Sequence, residues 1–449
     1  MSVTDIAEQN EAHRRFGAVY FTSLRVAGVR CFGPEQTLSL THGDRPAKWT
    51  VILGENGVGK TTILQCAWAM APYVEPRPGA LVGRYLVGSY PRGFLAPGRL
   101  ALHRAATSKF SIRAEVVLTQ TLTSGKVGTP AWSVLEADAR NISHEPYPDW
   151  ANVVCCAYGA LRRSGEDSVE ANASNHTAAS LFSDDAELIS GSEWLLRADY
   201  AANSITDPRV RARRDKVQAA LIDLLPDVSD IRVAGLDEQP PRPRLDVQTP
   251  YGWVPMRALS LGYRSMIAWV VDLASRMFEA FPDSADPLAE PAIALVDEID
   301  LHLHPRWQRE ITAHLDRLFP NVQFIVTAHS PLVVQGAGVT NVAVLRRVDD
   351  HVEILNDPEE VRGWRVDQIL TSDLFGLRSA RPVEVEELLE RQQELVLVDS
   401  PTESQKAELA EVDAKLAELV PGETAQDRET WAVVRRLAHR LASDGGHRG

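Results

Sequence analysis

The stretch Trp49-Thr50-Val51-Ile52-Leu53-Gly54-Glu55-Asn56-Gly57-Val58-Gly59-Lys60-Thr61-Thr62, continued by Ile63-Leu64-Gln65-Cys66-Ala67-Trp68-Ala69-Met70, decides the fold. Residues 49–53 are a short apolar, β-branched run and read as a strand. Residues 54–61 fit the pattern G-x-x-x-x-G-K-S/T, and residues 62–70 read as a helix with an apolar stripe. Strand, glycine loop and helix in that order make a phosphate cradle. The glycines let successive backbone N–H groups turn inward, and the helix start offers unpaired donors and a partial positive charge. The nucleotide-binding candidates are therefore Gly54, Glu55, Asn56, Gly57, Val58, Gly59, Lys60, Thr61 and Thr62. Lys60 would reach the outer phosphates, and the Thr61 hydroxyl would ligate Mg²⁺.

A phosphate loop also needs a second metal ligand and a group that activates water. Ala292-Ile293-Ala294-Leu295-Val296-Asp297-Glu298 is an apolar strand ending in two acids, and Phe324-Ile325-Val326-Thr327-Ala328-His329 is another ending in a histidine. Between them residues 306–318 read as a helix, so strand, helix and strand predict a βαβ unit of a parallel sheet. In such a sheet the carboxyl ends of the strands face the ligand crevice. Asp297 would hold Mg²⁺, and Glu298, one residue further on, would orient or deprotonate the attacking water.

Composition narrows the function classes. The chain has 449 residues, enough for two or three domains, and a net charge of −14 from 47 basic and 61 acidic residues. That balance argues against a surface devoted to nucleic acid, while leaving room for a local basic groove. Cys31, Cys66, Cys155 and Cys156 lie in apolar runs without metal-ligand spacing, which points to a reducing, cytoplasmic setting. No apolar signal core and no run of about 18 apolar residues is present, so neither secretion nor a membrane span is expected.

Residues 1–17 read as a polar leader. Residues 20–26 and 37–40 are two strands expected to pair antiparallel and lead into the phosphate-loop strand. Residues 72–149 form an inserted lobe with one clear strand at 110–118. Residues 151–157 read as a buried strand, and 164–180 as a mobile loop. Helices resume from Glu187 to Leu224. Within them Arg209-Val210-Arg211-Ala212-Arg213-Arg214-Asp215-Lys216 carries five cations, either a phosphate-backbone contact or a solvated face. Pro240-Pro241-Arg242-Pro243 marks a turn, and a hairpin is expected around Pro250-Tyr251. Leu259-Ser260-Leu261-Gly262-Tyr263-Arg264-Ser265 then opens a long apolar helix to Phe278. From Glu384 to Leu419 there are 11 acids and 3 bases. There Ser400-Pro401-Thr402-Glu403 reads as a capping box, Leu409, Val412, Leu416 and Leu419 as one stripe, and Val434, Leu437 and Leu441 as a last helix. His302 and His304, two apart, would share one face of an extended segment, without a third metal ligand in view.

Asp297-Glu298-Ile299-Asp300-Leu301-His302-Leu303-His304-Pro305, with residues 259–265 and Thr327-Ala328-His329-Ser330-Pro331, resembles the ABC-type ATPases of the RecF, SMC and OLD kind over most of residues 20–340. Tyr158-Gly159, Leu181-Phe182, Trp194-Leu195 and the acidic helical tail add a likeness to the Septu-type and retron-associated antiphage ATPases. The resemblance implies an α/β ABC-type P-loop ATPase head, an antiparallel β lobe plus a parallel α/β core, over residues 18–345. It carries the inserted lobe at 72–149, a helical insert region at 164–256 and a mostly helical partner-docking region at 346–449.

It also implies ATP and Mg²⁺ as cofactors, with metal held at Thr61 and Asp297. Ser260 and Gly262 would act as a signature presented in trans across a head-to-tail dimer. Glu298 and His329 would be the catalytic pair, His329 sensing the γ-phosphate. Arg30 is carried over as a residue approaching the nucleotide. A helix N-cap role explains Ser260 equally well. No Q-loop glutamine follows residues 151–157. A Toprim nuclease centre is not expected after residue 331, because no Asp-x-Asp occurs there. The implied function is a cytoplasmic ATPase that regulates an HNH-type effector nuclease in antiphage defence, with nucleic acid as a further contact. The competing readings are a RecF-like DNA-repair clamp and a nucleotide-dependent scaffold with little turnover.

Overall fold

The computed structural model describes residues 18–71, 74–76, 85–87, 110–119, 131–137, 142–144, 154–164, 177–235, 243–336, 341–356, 363–372, 374–377, 380–398 and 402–418. The polar leader, most of the 164–180 loop and of the 240–243 turn, and the helix carrying Val434, Leu437 and Leu441 lie outside the described residues. Two compact units form, residues 1–375 and 376–449.

The first unit opens with β1 (Ala18–Ala27), β2 (Gln36–Ser39), β3 (Trp49–Gly54) and α1 (Lys60–Met70). The 72–149 insertion supplies β4 (Phe110–Thr119), β5 (Ala131–Ala137) and β6 (Ile142–His144), and β7 (Val154–Tyr158) returns the chain to the core. Next come α2 (Gly191–Ser204), α3 (Pro208–Leu224), β8 (Asp230–Ala234), β9 (Arg244–Thr249), β10 (Gly252–Pro255) and α4 (Leu261–Ala280). The last part holds β11 (Ala292–Val296), α5 (Pro305–Leu318), β12 (Val322–Thr327), α6 (Pro331–Gly336), β13 (Asn341–Val348) and β14 (His351–Asn356).

Two sheets organise this unit. One is antiparallel, in the order β6-β5-β4-β1-β2, so the inserted segment is built onto the strands at the start of the chain. The other runs β7-β11-β12-β3-β13-β14 and is parallel except for its final pair. Residue 345, the expected end of the head, falls inside β13, which pairs with β3 from Asn341 to Leu345. The expected hairpin around Pro250-Tyr251 forms as β9 and β10.

Every residue of β11 and β12 is buried, as expected for strands covered on both faces. Their side chains alternate between two cores. Val51, Leu53, Ala294, Val296 and Val326 face α4 and its neighbours; Ile52, Ile293, Leu295 and Ile325 face α1 and the antiparallel sheet. Helix α1 is thus enclosed by both sheets. The expected stripe is replaced by burial of every residue except Thr61. Gln323 is fully buried in β12 and joins the sheets: its amide accepts from Phe21 N at 2.9 Å and donates to Phe21 O at 2.8 Å. Pairing of β2 with β1 stops at Ser23, so the glutamine side chain supplies the ladder partner that Phe21 lacks.

The second unit contains α7 (Val383–Val396) and α8 (Glu403–Glu418), an antiparallel pair tied by Arg391–Glu408 at 2.7 Å. Leu395 and Val412 are buried within it, Leu409 and Leu416 are half-buried, and Leu419 lies outside the described residues. The capping box sits two residues beyond its expected register. Thr402 caps the Gln405 N–H and the Gln405 side chain returns to the Thr402 N–H, so α8 begins at Glu403. Among the described residues no helix is long and apolar enough to cross a membrane.

Candidate nucleotide site

β11, β12 and β3 are neighbours, so their carboxyl ends bring residues 54–61, 297–300 and 327–329 to one edge. The glycine loop needs its glycines. Gly59 has φ +89°, and a Cβ there would lie 2.4 Å from Cys31 Sγ, so any side chain would push the loop off its support. Gly59 also stands at the N-cap of α1. No side chain caps this helix and no acid lies in its first turn, which leaves its first N–H groups to an anion.

Lys60 folds over the loop, donating to the carbonyls of Gly54 and Glu55 at 2.8 Å each. Burial pulls its ammonium below the ordinary lysine range, and Asp297, Glu298 and Asp300 oppose that. The Thr61 hydroxyl donates to Asp297 Oδ2 at 2.6 Å, while Thr327 donates to Asp297 Oδ1 at 2.6 Å. This all-oxygen pair at Thr61 and Asp297 suits a hard cation such as Mg²⁺, which would ligate the hydroxyl oxygen and replace its hydrogen bond to the carboxylate.

Glu298 is half-buried and takes φ +46°, unusual for a residue with a Cβ. Its N–H donates to Thr327 Oγ1 at 2.7 Å, and no bond to its carboxylate forms among the described residues. Asp300 is buried, accepts the His329 N–H at 3.0 Å through Oδ2, and keeps Oδ1 without a partner. His329 itself is exposed. Arg30 donates to the Thr62 hydroxyl at 3.0 Å, which places it against the first turn of α1.

The signature residues sit apart from this cluster. Ser260 is exposed at the N-cap position of α4, its hydroxyl makes no capping bond, and neither it nor Gly262 hydrogen-bonds to residues 54–62. Gly262 is buried because a Cβ there would lie 2.3 Å from the His302 carbonyl oxygen of the same chain. Within the chain, the glycine is required by its own 297–304 turn. That turn also corrects the histidine reading. Leu301 N donates to Glu298 O, Leu303 N donates to Asp300 O, and His302 has φ +62°, so the segment is coiled rather than extended. His304 accepts the Arg306 N–H at 3.3 Å as a helix cap. No metal-ligand cluster of His, Cys, Asp and Glu forms among the described residues.

Three residues that the structure bonds into this cluster are not site candidates in the sequence: Arg162, Thr327 and Asp300. Arg162 follows β7, the place where a Q-loop glutamine would stand. Its guanidinium is buried and donates to the backbone carbonyls of Gly159, Asp297 and Glu298. Burial pushes its pKa down to about 10, opposed by Asp297, Asp300 and Glu298. Just upstream, Tyr158 donates to Asp272 Oδ2 of α4 at 2.9 Å, and Arg276 closes on the same carboxylate at 2.7 Å. The end of β7 is therefore tied both to the acidic turn and to the Ser260 helix.

Each cation of the basic stretch on α3 has a partner within the chain, and three of the five are paired with acids. Arg209 pairs with Asp207 at 2.9 Å, Arg214 with Asp199 at 2.8 Å, and Lys216 with Asp286. Arg213 lies over Phe278 and donates to Pro282 O, while Arg211 donates to Ala202 O. This favours the solvated face over the phosphate-backbone contact.

Residues 159–335 match the model of the family described as AAA domain, putative AbiEii toxin, Type IV TA system. The chain is 25% identical over 443 residues to Septu protein PtuA of Bacillus mycoides (strain KBAB4), covering 96% of this chain and 55% of the relative. It is 41% identical over 98 residues to the Retron Vc95 probable ATPase of Vibrio cholerae serotype O1 biovar El Tor, covering 22% and 19%. With the Retron Ec83 probable ATPase of Escherichia coli it shares 31% identity over 194 residues, covering 43% and 32%. The chain thus spans about half the length, or less, of the curated relatives it matches. Among solved structures, an SMC head bound to the C-winged helix domain of ScpA aligns at TM-score 0.45 and 13% identity, covering 75% of this chain and 97% of that one. The recombination mediator RecF aligns at 0.39 and 12%, covering 76% and 99%.

Proposed function

We propose that this chain, an ABC-type ATPase head similar to the Septu and retron-associated ATPases, hydrolyses MgATP between two head-to-tail copies and so gates an HNH-type effector nuclease in antiphage defence. The observation that carries the reading is the contact of the Thr61 hydroxyl with Asp297 Oδ2 at 2.6 Å, beside a glycine loop whose helix start has no cap of its own.

The geometry supports the following division of labour. The N–H groups of residues 57–62 and the Lys60 ammonium take the β- and γ-phosphates, replacing the loop carbonyls that Lys60 now holds. Mg²⁺, when bound at Thr61 and Asp297, neutralises charge on the phosphates. Thr327 keeps Asp297 oriented by occupying its other oxygen. Glu298 accepts the proton of the attacking water, and its left-handed backbone turns the side chain out of the strand direction toward the crevice. His329, held through its N–H by Asp300, reads the γ-phosphate. Ser260, uncommitted to its own helix, donates to the phosphate held by the other copy.

The test is phosphate release from the full-length protein with its partner nuclease, in Mg²⁺ and in excess EDTA. Turnover in Mg²⁺ that falls at least about 100-fold in EDTA is expected, because removing the ion leaves the phosphate charge unneutralised. Equal rates in the two conditions would refute the metal assignment. No turnover in either would favour a scaffold that binds nucleotide without hydrolysis.

A further inference from the structure

We infer that Arg162 is a positioning residue for hydrolysis: through the carbonyls of Asp297 and Glu298 it sets the backbone kink that aims the Glu298 carboxylate. This rests on the reading of Glu298 as the group that activates water.

The geometry is specific. Arg162 is 3% exposed, and one Nη donates to Asp297 O at 2.6 Å and to Glu298 O at 2.5 Å, while Nε donates to Gly159 O at 2.9 Å. Two successive carbonyls on one nitrogen require both peptide planes to turn toward the same point. An ordinary strand, whose carbonyls alternate, cannot present them that way. The turn is made at Glu298, whose φ of +46° is strained for a residue with a Cβ and needs outside support. Leu301 N closes the turn from within by donating to Glu298 O, and the outside support comes from two sides. Thr327 Oγ1 holds the Glu298 N–H, and Arg162 holds the carbonyl before it and the carbonyl after it.

The charge fits no simpler role. A guanidinium this deeply buried, bonded only to carbonyls, is a costly way to tie a loop, and a neutral donor would satisfy the same oxygens. Asp297, Asp300 and Glu298 instead favour its positive charge. Arg162 bonds no phosphate-loop residue and reaches Asp297 only through its carbonyl, while Thr61 and Thr327 hold the Asp297 carboxylate, so its removal leaves the phosphate cradle in place.

The experiment compares Arg162→Met, Arg162→Lys, Glu298→Gln and the double variant Arg162→Met/Glu298→Gln in the full-length protein with its partner. Binding of a fluorescent ATP analogue in Mg²⁺ is measured beside single-turnover hydrolysis. Arg162→Met is expected to bind the analogue within about threefold of the parent and to hydrolyse it about 100-fold more slowly, a loss typical of a displaced base. Arg162→Lys, which keeps the charge and most of the stem, is expected to recover about tenfold of that loss, and it carries the test if the methionine variant fails to fold. In the Glu298→Gln background Arg162→Met is expected to cost nothing further, since it acts through Glu298.

Unchanged hydrolysis in both Arg162 variants, lost nucleotide binding, or a full additional loss in the double variant would each overturn the inference and leave the Glu298 assignment standing. Parental turnover in Glu298→Gln alone would overturn that assignment itself.

Discussion

Replacing Glu298 with glutamine is expected to lower ATP turnover by about 10²–10³-fold while leaving nucleotide affinity within a few-fold of the parent, the range for loss of a general base. The amide keeps the size and the left-handed backbone at position 298 and removes only the proton acceptor. In the proposed mechanism metal and phosphate contacts rest on other residues, Thr61 with Asp297 and Lys60 with the uncapped start of α1. Binding and chemistry are thereby separable at one atom. ATP should persist on the variant, and two copies closed over it should accumulate as a species of doubled mass. The check is steady-state phosphate release together with the mass of the ATP-soaked variant, and full turnover would remove Glu298 from the mechanism.

Lys60→Ala is expected to fail one step earlier, with nucleotide affinity lowered about 100-fold or more and turnover lost with it. The ammonium is buried and bonds two loop carbonyls, so it shapes the empty loop as well as meeting the phosphates. Its removal forfeits charge-assisted hydrogen bonds to the phosphates of about 1.5–3 kcal/mol each. Equilibrium binding of labelled ATP separates this outcome from that of Glu298→Gln. Equal affinity in Lys60→Ala and the parent would mean that the phosphates sit elsewhere.

Much of the site is legible in the residues because its demands fall on the backbone. Gly59 must be glycine against Cys31, the apolar runs at 49–53, 292–296 and 322–327 must be strands covered on two faces, and acids at a strand's carboxyl end must meet the loop beside them. The hidden part depends on neighbours distant in sequence. Nothing in Leu161-Arg162-Arg163 says which arginine goes inward; burial of Arg162 follows from the 297–300 turn, more than a hundred residues on. Nothing around Gly262 in the sequence says that its hydrogen side packs on the His302 carbonyl, forty residues on. The two histidines suggest an extended strand, but Glu298 and His302, both with positive φ, coil a segment whose residue types carry no glycine signal. Helix α1 shows a stripe in sequence but is enclosed all round, because the second sheet that covers it draws β4 from the 72–149 insertion.

If two copies close over the nucleotide, a complete site needs Lys60 from one and Ser260 from the other. Ser260 is exposed and uncommitted in its own chain, so Ser260→Arg should fold, bind ATP and spoil only the site that its own helix would complete in the other copy, while Lys60→Ala leaves the Ser260 surface intact. Each variant alone should be inert. Mixed in equal amounts, they should recover up to about a quarter of parental turnover, since half the dimers are mixed and each mixed dimer holds one intact site of two. A mixture as inert as its parts, or Ser260→Arg turning over at the parental rate by itself, would contradict the shared site.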